Sequence, residues 1–288
     1  MIQLTLFKNE TNEFRFRFVD DFSLVSPNAF MVTKSCPKGA IDIYTFRSKD
    51  KSVCQNGVSA AHCVSLLLPE LKEHTRYDNF TSHTAPFTAH IPEGKPFYTS
   101  EESRIHVMTI KTISRPGSTV SHMGDFVIIV PNRVLLKYAN GSMSGTEFLW
   151  EEWGPRNTCW FQERYVPAWM RYVHGSKFVR AMHTGWPNMR CRLQVLDFSV
   201  HPLRPGDNDS TDEIAAAAEP DIPCHHRYVA GPTRTQDPFV FEKDVVSYLP
   251  YREVTTKAEF PYSGFMIDDQ RVIGLSVSIF HLSLLILS

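Results

Sequence analysis

Alternation at a period of two is the feature that most narrows the folds open to this chain. Phe14, Phe16 and Phe18 interleave with Arg15 and Arg17, setting an apolar face against a charged one. A β-strand sends successive side chains to opposite sides, so this spacing predicts a half-buried strand. From Ala40 to Phe46, Ile41 and Ile43 share one face while Tyr44 and Phe46 share the other. Both faces are apolar, which predicts an interior strand covered on both sides. Val58 to Leu68 is mostly apolar and halts at Pro69, and Arg104 to Ile113 is rich in β-branched residues. Asp125 to Val130, the turn Pro131-Asn132-Arg133 and Val134 to Tyr138 read as a β-hairpin. Arg190 to Val200, Tyr228 to Ala230 and Arg271 to Ser276 add further strands.

Helix signals are few. Pro167 to His174 has room for about two turns. Asp212 to Glu219 contains an alanine run bracketed by Pro205, Gly206 and Pro220, and reads as a flexible excursion. Thr75 to Ser103 reads as long Pro-rich loops. The 19 prolines outnumber the 14 glycines, which favours fixed turns and strand boundaries over long helices. Strands recurring at intervals of about a dozen residues predict an all-β sandwich, barrel or propeller. No strict repeat is present, and the Gly-His and Trp-Asp punctuation of WD40 repeats is missing.

A formal net charge of -1 gives the chain no long-range attraction for nucleic acid or an anionic membrane, and no Lys/Arg run supplies one locally. The six cysteines are sparse and contain no Cys-x-x-Cys pair, which argues for reduced thiols in the cytoplasm or nucleus. The first residues, Met1 to Lys8, lack a basic segment before a sustained apolar run and do not read as a signal peptide. Asn9, Asn79, Asn140 and Asn208 are then chance sequons. The apolar tail after Leu275 is shorter than the roughly 20 residues a membrane helix needs. It reads as a final strand pair or an aberrant end of a gene, outside a single β-rich domain over 1–276.

Trp150-Glu151-Glu152-Trp153-Gly154-Pro155-Arg156-Asn157-Thr158 is the densest cluster of unusual residues. It is followed by Arg171-Tyr172-Val173-His174-Gly175, by Leu196-Asp197-Phe198-Ser199-Val200, and by Asp244-Val245-Val246-Ser247-Tyr248-Leu249-Pro250-Tyr251-Arg252-Glu253-Val254. In this order the segments resemble signatures in the C-terminal region of F-box proteins from mushroom-forming (Agaricomycete) fungi. The resemblance implies a partial or degenerate WD40-like β-propeller downstream of an F-box. About a dozen strands at four per blade make three to four blades, the C-terminal portion of a larger family member. It also implies a non-catalytic protein-interaction module whose partner is a ubiquitination target, recruited to an SCF-type ubiquitin ligase, with no cofactor.

Leu68-Pro69-Glu70-Leu71 is similar to the opening of an F-box, but no helical period follows it. The ligase link is therefore implied through an F-box that this chain does not display. A truncated paralogue with only a scaffold role is a further alternative.

Trp153, Arg156 and Trp160 are the expected binding residues, because Trp and Arg dominate protein-recognition hot spots. The same tryptophans could equally fill the space between sheets. Phe161, Trp169, Tyr172 and Trp186 enrich the region further in aromatics, some of them expected at the surface.

Catalytic and metal motifs are weak. Ser59-Ala60-Ala61-His62-Cys63 resembles the histidine motif of chymotrypsin-like proteases, which implies a divergent hydrolase centred on His62 as the alternative function. No Gly-Asp-Ser-Gly-Gly or Gly-x-Ser-x-Gly context accompanies it. Cys224-His225-His226 lacks a second ligand pair and reads as an exposed loop rather than a metal site. Glu151-Glu152 and Asp268-Asp269 are paired acids that would diverge on an extended segment, so they read as solvated groups, turn caps or partners of Arg156 and Arg271.

Overall fold

The computed structural model describes residues 19–36, 38–47, 59–85, 100–114, 122–141, 145–163, 172–183, 190–200, 222–268, 271–277 and 282–287. The strand expected at 14–18 and the excursion at 212–219 lie outside these, as does most of the helix expected over 167–174, whose described end Val173–His174 is a strand instead, paired in a tight hairpin with Phe178 and Lys177. The described chain is all-β, a set of antiparallel sheets with two short helices.

Strands β1 (Asp21–Ser26), β2 (Ala29–Lys34), β3 (Ala40–Arg47) and β4 (Ser59–Leu67) form one antiparallel meander. Strands β5 (Thr75–Thr84), β6 (Ile105–Ser114) and β7 (His122–Pro131) form a second. The chain then makes helix α1 (Asn132–Ala139) and returns to the first sheet as β8 (Thr146–Phe148), parallel to β4. One helical turn, α2 (Trp150–Trp153), leads into β9 (Cys159–Gln162), which completes the second sheet against β7.

A third sheet begins with β10 (Val173–His174), β11 (Lys177–His183) and β12 (Cys191–Asp197). Its edge strand is β13 (Cys224–Val229). A ribbon of β14 (Thr233–Thr235) and β15 (Val245–Ser247) follows, and β16 (Tyr251–Thr256) then inserts between β12 and β13. Strands β17 (Gly264–Ile267), β18 (Val272–Val277) and β19 (Leu282–Leu287) form the last sheet, so part of the apolar tail is a strand paired with β18.

The second sheet is the middle layer of two cores. Met108, Ile110, Phe126, Ile128 and Val130 face the first sheet, α1 and the tryptophans. Val107, Val127 and Ile129 face Phe178, Leu196, Tyr251 and Phe265 on the other side. Burial on both faces accounts for the nearly unbroken apolar runs at residues 105–110 of β6 and 126–130 of β7, where neither face meets water. Among the described residues no sheet closes into a barrel or a propeller.

Three sequence expectations are corrected. Val134 to Tyr138 is the body of α1, not the second strand of a hairpin. Val134, Leu135 and Ala139 are buried on one side, which is helical spacing, and Leu and Lys between them are good helix formers. Residues 75–84 form a strand rather than a loop, because their Thr, Tyr and Phe side chains suit a pleated surface against β6. Cys224-His225-His226 is edge strand β13 rather than a loop, paired with Thr256, Thr255 and Val254 of β16.

Candidate functional site

The Trp-rich signature is a packing device around a tight turn. Glu152 Oε2 accepts the Leu149 N–H at 2.7 Å, so one acid of the Glu151-Glu152 pair caps its own helical turn instead of meeting Arg156. Asn157 Nδ2 and the Thr158 hydroxyl donate to the carbonyls of Trp153 and Gly154 at 2.6 and 2.8 Å, closing the other end. Trp150 meets Trp153 and Trp160 edge to face, with ring centroids 5.4 and 5.5 Å apart. Phe241 and Phe126 extend the cluster.

Trp153 and Trp160 are enclosed, at 0% and 1% exposure. Enclosed rings offer no surface to a partner, so these two of the three expected contacts serve the core between the first and second sheets. Arg156 stands exposed on the turn that follows. Tyr172 is also buried, while 169 and 186 lie outside the described residues.

His62 does meet a serine and a carboxylate. Its Nε2 lies 3.1 Å from Ser65 Oγ and 4.0 Å from Asp42 Oδ1. Ser65 donates its single hydroxyl proton to Asp42 at 2.7 Å, so it accepts from His62. Asp42 also pairs with Lys34. A hydrolytic triad needs the serine proton directed at the imidazole and the carboxylate on the far ring nitrogen. Here the order is His62 to Ser65 to Asp42, a polar ladder on the first sheet beside the stacked rings of Phe30 and Tyr44.

A second arrangement has the triad order. Asn132 Nδ2 donates to the carbonyls of Val25 and Glu101, which leaves its Oδ1 to accept from His106 Nε2 at 2.8 Å. His106 Nδ1 then accepts from the Ser23 hydroxyl at 3.4 Å. Burial, reinforced by the nearby Arg104 guanidinium, lowers the His106 imidazole to about 3 against the pull of its Asn132 bond. A base that weak, in a ring with no exposure, does not take a proton from serine at neutral pH. This network ties β1, β6 and α1 together. Among the described residues no three His, Cys, Asp or Glu side chains converge as metal ligands.

Among the described residues a groove of about 590 Å³ opens between β9, the β14–β15 ribbon and the third sheet. Phe161 and Tyr251 meet edge to face in it, 5.8 Å between centroids. Arg180 lies over Phe161 at 4.6 Å, and its guanidinium is engaged by Glu163 and Gln194. Arg227 on β13 and Arg234 on β14 also line the groove, and both are exposed. Arg234 has Asp244 at 3.7 Å, an exposed pair that contributes little. Glu253, opposite Arg227 in register, accepts from Thr255 instead. Sequence inspection misses this site, because its residues come from strands far apart in the chain. Trp160 and Phe161 beside the tryptophan signature, and Tyr251 in the last signature segment, were the visible pointers.

No family model, curated protein or solved structure matches this chain. Its reading rests on the geometry above. No described helix is long and apolar enough to cross a membrane.

Proposed function

We propose that this chain is a non-catalytic protein-docking module, of the kind that holds a ubiquitination target in fungal F-box proteins. The observation that carries the reading is the groove: an aromatic floor of Phe161 and Tyr251 with exposed arginines from β13 and β14, beside strands that carry core residues. The succession of sheets supports the blade reading. A five-stranded first sheet, a four-stranded second sheet and a third sheet in which β10, β11, β12 and β16 are neighbours follow one another, and the second packs against the first on one face and the third on the other. We read this succession as blades of a propeller in an open arc. The ordered segments described for the sequence supply the family link.

The test is proximity labelling with the full gene product expressed in its own cells. Subunits of a ubiquitin-ligase scaffold are the expected neighbours. Their absence, with target-like proteins still labelled, removes the ligase half of the proposal and leaves the docking half.

The second reading, a hydrolase centred on His62, is favoured by the contact of His62 with Ser65 and Asp42 and weakened by the order of that contact. A fluorophosphonate probe separates the two. Labelling that disappears in Ser65→Ala establishes the hydrolase; an unlabelled chain supports docking.

A further inference from the structure

We infer that the groove between β9, the β14–β15 ribbon and the third sheet binds an extended acidic segment of a partner protein that carries an apolar or aromatic side chain. This rests on the docking reading and specifies its ligand.

Charge sets the sign. The lining offers Arg180, Arg227 and Arg234 against Glu163 as its acidic residue, and Glu163 is already engaged by Arg180. The inner cation is therefore neutralised within the protein, and the two outer ones face solvent. Their nearest acids hold them weakly or not at all: Asp244 is shared with the Gln236 amide at 2.7 Å, and Glu253 is turned to Thr255. An incoming carboxylate gains charge-assisted bonds from a guanidinium whose present partner is exposed and loosely placed.

Placement sets the size. Arg227 and Arg234 belong to different sheets, on β13 and β14, and both line the groove. A chain with several carboxylates offers a partner to each of them. The floor between them is Phe161 and Tyr251, whose ring faces suit an apolar anchor, and Arg180 over Phe161 fixes one ring in place. A nucleic acid would satisfy the arginines and stack on the rings, but the chain as a whole has no positive excess to attract one.

The test is fluorescence anisotropy of the whole chain with a short labelled peptide in which Glu and Asp alternate with Tyr and Val. The acidic peptide binds, and a version with Lys in place of the acids does not. Arg227→Glu with Arg234→Glu weakens binding by about tenfold or more. The milder pair Arg227→Gln and Arg234→Gln weakens it in the same direction, while Arg133→Glu, at an exposed position of α1 outside the groove lining, leaves it unchanged. Circular dichroism melts confirm that the variants keep the fold. Equal binding of the Lys peptide, indifference to both double variants, or displacement by inorganic phosphate or single-stranded RNA at equal potency would overturn the assignment. Proximity labelling that still returns partner proteins in that event leaves the docking function standing and moves it to another surface. Intact groove binding without ligase neighbours removes only the ligase link.

Discussion

Trp153 donates its buried indole N–H to the carbonyl of Leu67 at 2.7 Å, whereas the equally buried indole N–H of Trp160 has no acceptor. The two rings lie in one cluster, so their apolar contribution is similar and the hydrogen bond is what differs. Trp153→Phe therefore costs about 1–3 kcal/mol more than Trp160→Phe, because it removes a partner of the Leu67 carbonyl inside the core. Urea denaturation of the two variants measures the difference. Equal losses would mean that the Leu67 bond contributes nothing net.

Gly154 is explained by proximity rather than by backbone freedom. Its φ is -73°, a conformation any residue adopts, and helix propensity alone would favour alanine there. A Cβ at this position would overlap the ring of Trp150, which is locked between Trp153 and Trp160. Gly154→Ala is expected to destabilise the chain by about 1–3 kcal/mol, the usual cost of overpacking. A thermal melt with tryptophan emission as the probe reads both the loss and the displaced ring. A neutral or stabilising outcome would show that the cluster has room to yield.

The all-β class and most strands were legible because alternation and β-branched runs report directly on pleat and burial. β3, β4, β6 and β12 fall where Ala40 to Phe46, Val58 to Leu68, Arg104 to Ile113 and Arg190 to Val200 place them. The α1 segment was not legible, because five apolar and charged residues after a turn fit either period until Asn132 is seen anchoring the first turn to Val25 and Glu101. The Trp cluster was visible but its side was not: one residue of sequence shift decides whether Trp160 or Phe161 faces the first core, and only the pairing of β9 with β7 fixes it. The groove was hidden for a different reason. Phe161, Arg180, Arg227 and Tyr251 share no local pattern, and their meeting depends on β16 inserting between β12 and β13.

Thiol chemistry distinguishes core from surface. Desolvation raises the Cys159 thiol to about 12 despite its contacts with Thr233 and Ser247, and raises Cys191 to about 11. Both are buried, while Cys36 is partly exposed. Iodoacetamide at neutral pH is expected to modify Cys36 at least about tenfold faster than Cys159 or Cys191 in the native chain, since only an accessible thiolate reacts. Peptide mass spectrometry after timed quenching reads the rates. Comparable labelling of Cys159 would place the β9 edge and the ribbon in frequent local opening.

Acid sensitivity follows from His106. Its imidazole is ordinarily near 6.5 and is lowered to about 3 in the fold, chiefly by burial. Above 6.5 neither the folded nor the unfolded chain holds this proton, and the stabilisation from keeping the ring neutral is fully present. Between 6.5 and 3 the unfolded chain takes up a proton that the folded chain refuses, so stability falls as pH falls, by about 1.4 kcal/mol per unit for one such group. His83, lowered in the same direction by its own burial, adds to the slope. Denaturation midpoints between pH 7 and 5, where carboxylates contribute least, isolate the histidine part. The wild-type slope should exceed that of His106→Gln, whose amide can still donate to Asn132. The His106 ring resonance should hold its neutral position across the same range. A ring that titrates there would mean that water reaches the Ser23–His106–Asn132 network, and the link it makes between β1, β6 and α1 would then be a solvated contact rather than a buried one.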